Sequence, residues 1–170
     1  RGRPSFSALP SSNYDVVMSL DRAMINRILQ LSFERKNFEK IDIGDNETLR
    51  LTMAPTVDWT AQPRGEPVKN SEAFLRIKTK VQVPKGSVKG LKKIAIQDRF
   101  DANFDIIAKM RKDAINGGVQ VVLHSIDLNS VVVDESYMTL LGKLMKSTVV
   151  EGVKEKLAET SKGWKSKESV

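Results

Sequence analysis

The chain has 170 residues, 40% of them hydrophobic and 29% charged, which suits one globular domain with a substantial core. No uncharged apolar run reaches the length of about eighteen residues that a membrane-spanning helix needs. The absence of cysteine excludes disulfides and thiolate metal sites, and the single histidine, His124, excludes a histidine-rich one. A formal net charge of +7 favours anionic partners such as lipid head groups or nucleic acid, although solubility alone would account for it.

Residues 1–13 carry Pro4, Pro10 and several serines without apolar periodicity and read as a flexible linker. The chain opens on Arg1 without an apolar leader, so any export signal or anchor is expected outside it. Tyr14 to Met18 reads as a short strand, after which Ser19 caps a helix running to about Arg35. Leu20, Met24, Ile28 and Leu31 form one apolar stripe of that helix, and Ile25, Leu29 and Phe33 widen it. A face this broad calls for more than one neighbour.

The charges and Gly44 between Asn37 and Asn46 suggest an irregular connection with a short strand around Ile41 and Ile43. Leu49, Leu51 and Met53 then alternate with polar residues, the period of a strand with one buried side, until Pro55 weakens it. Ala61 to Asn70 holds Pro63, Gly65 and Pro67 and reads as a surface loop. In the next strand Leu75, Ile77, Thr79, Val81 and Val83 face one way, and Arg76, Lys78, Lys80 and Gln82 the other. Pro84 to Gly90 reads as a loop. Lys92 to about Lys112 reads as a long strand with Phe100, Ala102, Phe104, Ile106, Ala108 and Met110 in alternation; those aromatics do not make a helical stripe. Asn116-Gly117-Gly118 is a hairpin turn signal, because both glycines permit the positive φ that tight turns require. The return strand, Val119 to Val133, has Val121 and Leu123 on one side and a bend near Asp127 to Asn129.

The last long stretch, Asp134 to about Lys162, places Met138, Leu141, Met145, Val149, Val153 and Leu157 on one helical face, with Asp134 and Glu135 complementing the positive helix end. Residues 163–170 read as a frayed basic tail, with Trp164 as a surface or membrane anchor. The expected class is α+β: a highly curved antiparallel sheet wrapped around the long C-terminal helix, with a shorter N-terminal helix.

This order of elements resembles the tubular lipid-binding (TULIP) superfamily, to which the bactericidal/permeability-increasing protein belongs. The residues that carry the likeness are Tyr14-Asp-Val-Val-Met-Ser-Leu leading into Ile25-Asn26-Arg27-Ile28-Leu29, the proline-bearing Leu51-Thr-Met-Ala-Pro-Thr-Val, and Val131-Val-Val before the last helix. The resemblance covers residues 14–162 as a single domain and implies a lipid or other long apolar ligand held between sheet and helices. One unit instead of two, and no disulfide, make a small bacterial envelope or periplasmic version, or one domain of a larger protein, the expected setting.

On that basis the apolar lining is expected to comprise Met24, Ile28 and Leu31 of the first helix, Leu51, Met53, Ile77 and Phe104 of the sheet, and Leu141, Met145 and Val149 of the last helix. An ordinary filled core is the competing reading of the same residues, and with it an interaction or scaffold module of a membrane-associated protein. Arg76, Lys78 and Lys80 are the candidates for head-group or membrane contact, against the more common reading of a solvated sheet face. A nucleic-acid binder using that basic face is a second alternative, although the face lacks the aromatic platforms such a binder uses. No enzyme, cofactor or metal is expected. His124 has no nucleophile signature beside it, the Asp98, Asp101 and Asp105 spacing is not a calcium loop, Gly86 to Gly90 is no phosphate cradle, and Asn46-Glu47-Thr48 matters as a glycosylation sequon only in a eukaryotic secretory setting.

Overall fold

A computed structural model describes residues 21–37, 39–44, 47–60, 72–88, 98–112, 119–138 and 140–168. The class is α+β. Six strands pair antiparallel in an open sheet that does not close into a barrel. They are β1 (Lys40–Gly44), β2 (Glu47–Leu51), β3 (Thr56–Thr60), β4 (Glu72–Pro84), β5 (Arg99–Lys112) and β6 (Val119–Val133). The spatial order is β1-β2-β4-β5-β6, with β3 also on β4. The helices are α1 (Arg22–Glu34), a short α2 (Leu140–Leu144) and the long α3 (Lys146–Glu168).

The alternation in β4 and β5 is reproduced in the sheet. The register Leu75↔Ala108, Ile77↔Ile106, Thr79↔Phe104, Val81↔Ala102 and Val83↔Phe100 brings both apolar rows onto one face, here called the inner face. Phe100, Ala102, Ala108 and Val81 retain no exposure at all, and Phe104 retains 2%. Thr79 is the polar member of the row; its hydroxyl donates to the Phe104 carbonyl at 2.6 Å, so its burial leaves no unmet donor.

β2 and β3 lie end to end along the same edge of β4. Leu51 pairs with Val81 and Thr56 with Lys78, and the chain leaves the ladder between them, where the buried Pro55 has no N–H to give. The sequence pattern stops at this proline, so the resumption as β3 is a correction. Met53 falls in the break and is exposed, not in the strand.

β5 and β6 pair out to Lys112↔Val119, as the expected hairpin requires; its Asn116-Gly117-Gly118 turn lies outside the described residues. β6 carries two irregularities. The one at Asp127 to Ser130 matches the expected bend. Ser130 Oγ donates to the Asp127 carbonyl at 2.6 Å and accepts the Asp105 N–H at 2.7 Å, supplying the acceptor that the displaced strand withholds. At the second, His124 is the extra residue and packs edge-on against Phe74 at 5.9 Å, both buried.

The C-terminal stretch is not one uninterrupted helix from Asp134. Asp134 caps a single 3-10 turn, Glu135–Tyr137, by accepting the Ser136 N–H at 2.9 Å, and that bond holds its carboxyl below the ordinary range. Met138 is buried in extended chain, α2 follows, and α3 begins only at Lys146, whose ammonium pairs with Glu135. α3 then runs 23 residues, about 35 Å, and stays helical to Glu168 where a frayed tail was expected from 163. Trp164 packs against the core cluster instead of standing out as an anchor.

α1 starts two residues later than expected. Asp21, not Ser19, is its cap, accepting the Ala23 N–H at 2.6 Å. Its C-terminus closes with the paired bonds Lys36 N–H to Phe33 carbonyl and Asn37 N–H to Ser32 carbonyl, a Schellman ending that puts Lys36 at φ 60°, where glycine is usual. The linker 1–13, the strand 14–18 and the loop 61–70 lie outside the described residues.

Candidate functional site

The inner face is covered in two halves by two different helices. Over the half formed by Val81, Val83, Phe100, Phe104 and Val133 lies α3, whose Val149, Val153 and Leu157 are 0 to 2% exposed. α3 contacts β6 and also β1, which stand at opposite ends of the strand order. A side chain lining a void wide enough for an alkyl chain keeps surface that a water-sized sphere can touch. Those under α3 keep almost none, so the space between this helix and the sheet is filled by the protein itself.

α1 covers the other half differently. Ile25 and Leu29 pack on Val57, Leu75 and Ala108, yet none of the 13 residues of α1 is buried. What anchors the helix is polar: Asn26 Nδ2 donates to the Val57 carbonyl at 3.1 Å and Asn26 Oδ1 accepts the Val57 N–H at 2.6 Å. The carboxamide thus occupies the place of a further strand on the open edge of β3 and satisfies backbone groups that an edge leaves unpaired. Arg22 adds an exposed ion pair to Asp58 at 3.1 Å, and its hydrogen bond lowers the Asp58 pKa. Ile77 and Leu123 pack against both halves of the core and are only half-buried.

At about 100° per residue, the faces of α1 follow one another around its axis. Asn26 meets the β3 edge, Ile25 and Leu29 sit on the inner face, and Ile28, Met24 and Leu31 come next, on the side away from that edge. Met24 is 47% and Ile28 54% exposed, and Leu31 is half-buried. Met24 and Ile28 thus form an exposed apolar stripe on α1, continued by the half-buried Leu31, beside the Ile25 and Leu29 contact with the core half that Ile77 and Leu123 also pack against.

The expected lining residues do not share one enclosure. Met24, Ile28 and Leu31 form the outward apolar stripe of α1, and Ile77 packs between the two core clusters. Leu51, Phe104 and Val149 are buried in the filled half; Met53 and Met145 are exposed; Leu141 is part of α2, its side chain outside what is described. Leu123 and Asn26 have equal claim to this region and were not singled out. The signal for Asn26 was a polar residue flanking the sheet-facing arc of Ile25 and Leu29.

The basic row is largely paired. Arg76 is bonded to Asp105 at 2.8 Å and Asp127 at 3.0 Å, which raise its pKa, and Lys80 lies 3.4 Å from Asp101. Only Lys78 of the three is exposed. On the outer face Arg76 and Lys80 thus belong to a partly buried set of opposite charges across β4, β5 and β6. Among the described residues no group of three acidic or histidine side chains is arranged to hold a metal ion, and no helix is long and apolar enough to cross a membrane.

The fold is an open antiparallel sheet with one tightly covered and one loosely covered apolar half. No protein-family model, curated protein or solved structure matches this chain.

Proposed function

We propose that the protein binds lipid or another long apolar ligand without catalysing a reaction, and that the ligand lies in a cleft between the exposed apolar stripe of α1 and the sheet. The observation that carries this reading is the contrast in burial: the α3 half is sealed, whereas on the α1 side Met24 and Ile28 stand about half exposed and Ile77 and Leu123 are only half-buried. Covering such apolar surface gains about 0.8 kcal/mol for each methylene, so a hydrocarbon chain binds without any catalytic group. We read the sheet as curving around α3, supported by the contact of that helix with both terminal strands. In this arrangement α3 is the closed spine and α1 the side of entry.

Gentle purification followed by native mass spectrometry and organic extraction tests the proposal. Co-purifying lipid of defined mass is the expected result. Bare protein, together with a melting temperature unmoved by added fatty acid or phospholipid, contradicts it and favours the filled-core interaction module, for which the sealed α3 half is the specific support.

A further inference from the structure

We infer that the cleft takes an anionic amphiphile, with its head group at Arg35 and its tail along Met24, Ile28 and Leu31. This rests on the reading of the cleft as an apolar ligand site and adds the sign of the ligand's polar end. Met24, Ile28, Leu31 and Arg35 follow at steps of four, three and four, so the exposed apolar stripe of α1 ends on a guanidinium at the same angular position. Arg35 and its neighbour Lys36 are both exposed at this end of the helix. The nearby acid Glu34 lies about 100° round the helix from Arg35 and accepts a hydrogen bond from Gln30 at 3.0 Å. At the far end, Arg22 is held by Asp58, and Asp21 is used as the cap.

The stripe therefore ends on a cation where the helix stops; Arg27, which flanks its middle, is turned to Gln30, donating at 3.2 Å. From Met24 to Arg35 it runs about 16 Å, close to the length of an extended dodecyl chain. A carboxylate, sulfate or phosphate on such a chain meets a planar donor suited to oxyanions, whereas a cationic head meets two like charges.

Three amphiphiles with the same tail decide the matter: dodecanoate, dodecanol and dodecyltrimethylammonium, titrated as monomers into the full chain and into Arg35→Ala and Arg35→Lys. Dodecanoate is expected to bind tightest. Arg35→Ala should weaken it about tenfold while leaving dodecanol within about twofold, and Arg35→Lys should recover most of the loss. Added salt should weaken dodecanoate alone. The thermal melt of Arg35→Ala, a surface substitution, should match the parent and exclude misfolding. Equal binding of all three tails, or an equal loss of all three in Arg35→Ala, overturns the head-group inference and leaves the cleft standing. Absence of binding by any of them overturns both. Association with phosphatidylglycerol vesicles but with no monomeric amphiphile overturns the inference in favour of α1 as a membrane-docking face.

Discussion

The two helices lie against one sheet, on side chains of the same two strands, and do opposite things. α3 drives Val149, Val153 and Leu157 into Phe100, Phe104 and Val133 until almost nothing remains exposed. α1 sets Ile25 and Leu29 on Leu75 and Ala108, keeps no residue of its own buried, and relies on one asparagine for its docking. On the proposed reading the difference separates stability from access: the sealed α3 half holds the fold together, and the loosely packed α1 half is where a ligand would enter.

Substitutions on the two sides should therefore diverge, and the largest effect belongs to the sealed half. Phe104→Ala should cost about 3–5 kcal/mol in denaturant unfolding, because the ring is enclosed and its neighbours cannot collapse into the space. A loss below about 1 kcal/mol would mean that this half is looser than described. Asn26→Ala removes both bonds to Val57 and should cost about 1–3 kcal/mol. Hydrogen exchange sharpens that test: the amides of α1 should lose protection while those of β4 and β5 keep theirs.

Lys36→Gly should stabilise by about 1 kcal/mol, since φ 60° strains a residue with a Cβ and not a glycine. A drop in melting temperature would contradict the left-handed ending of α1. The smallest effect is the acid response of Glu135, whose pKa is lowered from 4.5 by its hydrogen bond with Lys146. A carboxylate with a depressed folded pKa contributes stability above its unfolded value and loses it as pH falls through the folded one. Melting curves taken from neutral pH down through this range should thus show a slightly shallower acid limb in Glu135→Gln than in the parent.

The long strands were legible because their pattern is local: five alternating apolar residues in β4 and the Phe100 to Met110 alternation in β5 need no knowledge of neighbours. β3 was hidden behind Pro55, which ends the period without ending the edge that β4 offers. The ion pairs of Arg76 were hidden by distance along the chain, since Asp105 and Asp127 stand 29 and 51 residues away and only the pairing of β4, β5 and β6 brings them together. The break before α3 followed from Met138 being taken into the core in extended form, where the helical period alone counted it as another step of the same stripe. For α1 the sequence carried the essential fact, an apolar arc wider than one neighbour can cover. It could not tell which part of the arc the sheet would take, because that depends on Asn26 finding the edge of β3.

The central claim is that a hydrocarbon guest enters beside α1 and not beneath α3, and methyl resonances report on both places at once. In a sample with labelled Ile, Leu and Val methyls, added dodecanoate should shift Ile28, Ile77 and Leu123 and leave Val149, Val153 and Leu157 where they were. Shifts concentrated on the α3 residues, or on neither set, would contradict the account.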